Sequence, residues 1–222
     1  QGTYDKFSDP ETQARISQFE MAFRMQTEVP GLMDISQEPQ HVKDLYGPEV
    51  EKPGSFARNC LLARRMVAKG VRYVQLFHRG WDQHTNLPKQ IEAQCRDTDR
   101  AAAALVTDLK QRGLLKDTLI VWGGEFGRQP TAEYATGSGR DHNSYGFTTW
   151  MAGGGVKGGT TVGATDEIGS RAVEDVFHVK HMHATVLQQL GLDPAKLTYF
   201  FGGLDNSLVG VEGAQPIWKI IS

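Results

Sequence analysis

Cysteine is scarce in this sequence. There are two in 222 residues, Cys60 and Cys95, and neither belongs to a CxxC pair. Paired-cysteine redox and zinc motifs are therefore absent, and each thiol, set on the apolar stripe of an expected helix, reads as buried. A disulfide between them is left open. Charge of one sign is also missing: 24 Lys and Arg against 26 Asp and Glu leave a net charge of −2. Neither nucleic acid nor an anionic membrane surface is indicated as a partner. No apolar run approaches the roughly 18–20 residues that span a bilayer. The glycine-rich run after Ala152 lacks a GKS or GKT, so its glycines read as turn residues rather than a phosphate loop. The sequence contains no signal peptide, and a chain opening at Gln1 without methionine reads as processed or as a fragment.

What is present suffices for one large domain with a proper core: 222 residues, 39% of them hydrophobic. Residues 1–10 are polar and read as irregular. Ile16, Phe19 and Phe23 recur at helical spacing over 11–28, and Pro30-Gly31 is expected to end that helix. Met21, Phe23, Met25 and Met33 read as core. Three prolines mark 31–54 as a linker with one short helix near 41–46. Ser55 is a cap for a helix bearing Phe56, Cys60, Ala63 and Val67, which Gly70 stops.

Residues 71–77 (VRYVQLF) read as a buried strand. A long helix from Pro88 carries Ile91, Cys95, Thr98, Ala102, Leu105 and Leu109 on one stripe and ends at Gly113. A second strand follows at 118–122 (TLIVW) and a third at 147–152 (FTTWMA). Strand, long helix, strand predicts a parallel right-handed crossover. A hairpin or flap over 153–163, a helix over 181–191, and mixed strands and turns after Asp193 complete the chain.

The chemistry-bearing residues follow the strands. Phe77 leads into Asp82 and His84, and Trp122 into Glu125 and Arg128; Asp141 and His142 precede the third strand. In an open parallel sheet, ligands sit beyond the carboxyl ends of the strands, so these groups are expected at one edge. Asp, Glu and His make a mixed oxygen and nitrogen set, suited to zinc, manganese or iron rather than calcium. Asp82, His84 and His142 supply three ligands with an open position. Glu125 would serve as a base or as a ligand to a second ion. Arg128 offers a fork for phosphate or sulfate oxygens. Asp141 is the candidate to hold an imidazole's other nitrogen.

Each group has a plainer reading. Asp82-x-His84 is compatible with an Asx turn, Glu125 with a helix N-terminal acid, Arg128 with a surface ion pair, and Asp141-His142 with a loop hydrogen bond. Their joint placement favours the site. His41 and His78 stand alone and read as structural. His181 and His183 are two apart and do not share a helix face, which disfavours a metal cluster with His178.

HRGWDQHTNLPKQ, VWGGEFGRQP, GRDHN and HATVLQQLGLD, in that order, resemble the DUF1501 proteins, sulfatase-like members of the alkaline phosphatase superfamily. The resemblance runs over nearly the whole chain. It implies an α/β, alkaline-phosphatase-like fold with a mostly parallel sheet flanked by helices. Residues 1–222 would form one incomplete domain, the C-terminal portion of the family domain. The implied chemistry is hydrolysis of phosphate or sulfate esters, small-molecule or polysaccharide, at one or two divalent ions, zinc or manganese. Asp82, His84 and His142 resemble the first metal site. Glu125 and Phe126 stand where the superfamily has an Asp-His pair, so a second metal site is altered. No position matches the upstream nucleophile, and Thr85, Ser138 and Ser144 are the nearby hydroxyls. Long members often carry twin-arginine signals, implying an exported or periplasmic location. The rival expectation is a catalytically silent metal- or anion-binding protein on the same scaffold.

Overall fold

The computed structural model describes residues 9–132, 134–135 and 137–222. Of the stretch expected to be irregular, residues 1–8 lie outside the described residues. The chain divides into two compact units, Gln1–Leu76 and Phe77–Ser222.

The first unit is helical. It holds α1 (Pro10–Met33), α2 (Gln40–Tyr46), a 3-10 turn at Pro48–Glu51 and α3 (Phe56–Ala68). The Asp9 carboxylate accepts from Glu11 N, and the Ser55 hydroxyl accepts from Arg58 N at 3.0 Å, so α1 and α3 both open on a side-chain cap. Ile35, Val42, Tyr46, Val50, Ala57, Cys60 and Leu61 form the buried core. Burial pushes the Cys60 thiol up to about 12, as expected of a packed, unreactive sulfur. A buried ion cluster ties this unit together. Arg64 and Arg65, adjacent on α3, each donate to one oxygen of Glu38.

Two expectations fail on α1. The helix runs through Pro30 to Met33. Its last carbonyls, Gly31 O and Leu32 O, have no partner within the helix and accept from Arg65 at 2.9 and 2.8 Å. The expected core residues are exposed, Phe19 at 76% and Phe23 at 69%. Periodicity forms an apolar face, but only a second packed surface buries it.

The second unit contains α4 (Leu87–Gln111), β1 (Ile120–Trp122), β2 (Gly127–Arg128), β3 (His142–Asn143), β4 (Trp150–Ala152), β5 (Ala164–Thr165), β6 (Ala172–Glu174), α5 (Val179–Gln189), β7 (Thr198–Phe201) and β8 (Leu204–Ser207). Ala101, Ala104 and Leu109 are buried on α4. On α5, Ala184 packs in a small core with Val209 and Ala214. The glycines at 70, 113 and 191 take positive φ and follow α3, α4 and α5 as expected. Cys60 and Cys95 are both free, and Cys95 is half-buried rather than buried. No helix among the described residues is long and apolar enough to cross a membrane.

The expected mostly parallel, alkaline-phosphatase-like sheet is not the fold. The strands form four separate two-stranded pairs, β1 with β4, β2 with β3, β5 with β6 and β7 with β8. All four are antiparallel. Residues 71–77 form no strand, and Val71, Tyr73 and Phe77 are exposed. β-branched and aromatic composition reports that side chains fit a pleated surface, and a ladder partner must still be supplied. Without that strand, α4 connects no parallel pair. The second and third expected strands do pair, Val121 opposite Met151, and Trp122 stacks on Trp150 with ring centroids 6.1 Å apart. The 153–163 segment is turns and irregular chain, tied down by the Val156–Ile221 bridge and by backbone bonds to Leu115, Ile220 and Ser222.

Candidate metal centre

The site is built on a ladder of only two residue pairs. β2 and β3 set Arg128 directly opposite His142, and opposed residues of an antiparallel pair share a face. Gln129 N donates to Asp141 O at 2.8 Å, extending the pairing by one bond. Asp82 and His84 come from the segment between residue 77 and α4, and that segment is tied internally. Trp81 Nε1 donates to His78 Nδ1 at 2.9 Å, and Gln83 Nε2 donates to Gly80 O at 2.5 Å. Gln83 is only 4% exposed, so its amide is a fixed internal brace.

Three nitrogens converge on one oxygen. His142 Nε2 lies 2.9 Å, His84 Nε2 3.0 Å and Arg128 Nη2 2.8 Å from Asp82 Oδ1. The two imidazole Nε2 atoms are 3.2 Å apart. Asp82 Oδ2 has no partner among the described residues. The bond to His142, then that to Arg128, holds the Asp82 carboxyl well below the usual carboxylate range; the His84 charge adds to this. The group stays open to water, with the Asp82 side chain 67% exposed and that of His84 29%.

Arg128 is held from two further sides. Its Nη2 also donates to Trp81 O at 2.9 Å, and its Nη1 to Arg140 O at 3.5 Å. The guanidinium thus stays beside the cluster without relying on Asp82 alone. Phe126 lies against the His142 ring, centroids 4.9 Å apart and tilted by 55°. No sequence signal assigned that contact, although Phe126 stood in the altered motif position.

Asp82, His84 and His142 are, among the described residues, the one group of His, Cys, Asp and Glu side chains that could hold a metal ion. Their donor set fits a transition metal. Ligand atoms about 2.0–2.1 Å from a tetrahedral zinc stand about 3.3 Å from one another. The observed separations of 2.9, 3.0 and 3.2 Å approach that edge length. Three ligands on one face leave the outer face open.

Other expected participants stand elsewhere. Glu125 is exposed and outside the cluster. Asp141 Oδ1 accepts from the His142 backbone N at 2.7 Å, so it fixes the main chain rather than an imidazole. Ser138 Oγ accepts from Asn86 N at 3.3 Å. His181 Nδ1 pairs with Gln215 O and His178 Nδ1 accepts from Lys180 N, both structural contacts.

A family model described as "Protein of unknown function (DUF1501)" matches residues 1–221. The chain belongs to the DUF1501 family. No curated protein and no solved structure matches it. All the groups just described lie inside the matched span.

Proposed function

We propose that this DUF1501 protein is a metal-dependent hydrolase of phosphate or sulfate esters, with one divalent ion, zinc or manganese, held by Asp82, His84 and His142. The observation that carries the reading is the convergence of both Nε2 atoms on a single Asp82 oxygen, with a guanidinium beside it. A divalent ion held there supplies Lewis-acid polarisation of an ester oxygen and activation of a water.

The chain's own residues do the rest. Arg128 keeps a fixed positive charge beside the ion, held there by Trp81 O and Arg140 O, and its N–H groups not engaged by these acceptors or Asp82 can donate to a non-bridging oxygen of a tetrahedral anion. The same guanidinium offsets negative charge that develops on those oxygens. Exposure of Asp82 and His142 leaves the site reachable by a small ester or a polysaccharide chain. The sulfatase-like kinship, the place of the chain in the C-terminal half of a longer domain, and an exported location belong to this same proposal. Fractionation of host cells expressing the complete precursor tests the last.

A second reading, a catalytically silent metal or anion binder, draws on Glu125. Its carboxylate is not part of the ligand group, in which, among the described residues, Asp82 is the one carboxylate. Hydrolysis of p-nitrophenyl phosphate and p-nitrophenyl sulfate by the complete protein, with and without added zinc or manganese, separates the two. Metal-dependent turnover lost in Arg128→Lys supports the hydrolase. Metal uptake with no turnover of either ester supports the binder.

A further inference from the structure

We infer that Gly139 is the positioning residue of this site, because it lets the two loops carrying the ligands lie against each other before any metal binds. His84 and His142 are far apart in sequence, and the β2–β3 ladder positions only the second. What brings the first to it is a separate clamp. Arg140 N donates to Gln83 O at 3.1 Å, and Leu87 N donates to Ser138 O at 2.7 Å. Asn86 N adds a longer bond to Ser138 Oγ at 3.3 Å. Gly139 sits between these ties, at the closest approach of the two main chains. A β-carbon built there would overlap the carbonyl of His84 and press on the nitrogen of Thr85. Those are backbone atoms, so no side chain can swing away to make room.

The position does not need glycine for its dihedral angles, since Gly139 is not among the residues with positive φ. It needs glycine for space. An alanine must push the 138–140 segment off the 83–87 segment. That breaks the flanking bonds of Leu87 and Arg140 and separates His84 Nε2 from His142 Nε2. The functional meaning of the clamp rests on the metal reading above, while the clamp itself exists in the metal-free protein. It is therefore a device of preorganisation: the ligand atoms are near their bound spacing at the outset.

The test measures amide hydrogen exchange at Leu87 and Arg140 in metal-free protein, and cobalt(II) affinity and visible spectrum in wild type, Gly139→Ala and Gly158→Ala. The last is the control, because a β-carbon at Gly158 meets nothing. Both amides are expected to be protected in metal-free wild type and to lose protection together in Gly139→Ala. Cobalt affinity should fall by about 10–100-fold, the range for residues that orient ligands, with altered visible bands, while Gly158→Ala matches wild type. Unprotected amides in wild type, or a Gly139→Ala protein within about twofold of wild type in both readouts, would overturn the inference. If Gly139→Ala does not fold, wild-type protection of the two amides decides alone. If wild type takes up no cobalt, the metal reading fails, and the amides still decide the clamp.

Discussion

Glu38 and Asp82 are both carboxylates surrounded by side-chain nitrogens, and they use their oxygens in opposite ways. Glu38 gives one oxygen to Arg64 and the other to Arg65, and its side chain is 6% exposed. Asp82 turns a single oxygen to His84, His142 and Arg128, and its side chain is 67% exposed. A carboxylate that serves only to neutralise neighbours shares them between its oxygens and is retired into the interior. One that gathers three nitrogens on one oxygen, in water, is arranged as a monodentate ligand would be. The first unit therefore spends its carboxylate on structure, and the second keeps its carboxylate available.

Removing each carboxylate sharpens the contrast most. Glu38→Gln removes the carboxylate charge that faces Arg64, 5% exposed, and Arg65. Breaking a buried pair this way costs about 3–5 kcal/mol, read as a lowered urea midpoint, with metal uptake by the folded protein unchanged. Asp82→Asn should do the reverse, leaving the midpoint in place and removing metal uptake. Equal stability losses in both variants would erase the distinction.

Acid should act on the first unit next. Burial raises the Glu38 pKa, but the hydrogen bonds from Arg64 and Arg65 outweigh it, and the net shift is downward from the ordinary glutamate value. A carboxyl whose folded pKa is depressed stabilises the fold above its unfolded pKa, and that contribution is lost as pH falls through the folded value. Wild type should thus lose stability below about pH 4.5 more steeply than Glu38→Gln. Parallel pH profiles would contradict this.

A smaller effect is expected at Phe126. Phe126→Ala removes the ring that rests on His142 and should weaken metal binding by about tenfold, the low end for groups that orient ligands. Unaltered affinity would reduce Phe126 to packing.

The sequence made the ligand set legible by residue type and by position after apolar runs, but for a reason the structure replaces. Asp82, His84 and His142 were expected together at the carboxyl edge of a parallel sheet. They meet instead through an antiparallel ladder of two residues per strand and through loop-to-loop backbone bonds. Those bonds carry no side-chain signature, and the sequence reading assigned neither Gly139 nor Ser138 to them. Helices were readable because caps and stops are local: Ser55, Gly70, Pro88 and Gly191 did their expected work. Residues 71–77 and the apolar face of α1 misled because composition specifies a preference for burial, while burial needs a partner surface that local sequence does not encode. Asp141 was misassigned for a related reason: its short side chain reaches the adjacent main-chain N–H more readily than a ring.

The central claim is that Asp82, His84 and His142 form a metal site. Elemental analysis of the complete protein purified without chelator, beside His142→Ala prepared identically, tests it most directly. The account predicts close to one zinc or manganese per wild-type chain and almost none in the variant, with both folded by circular dichroism. Equal metal content in the two proteins, or none in either, would contradict it.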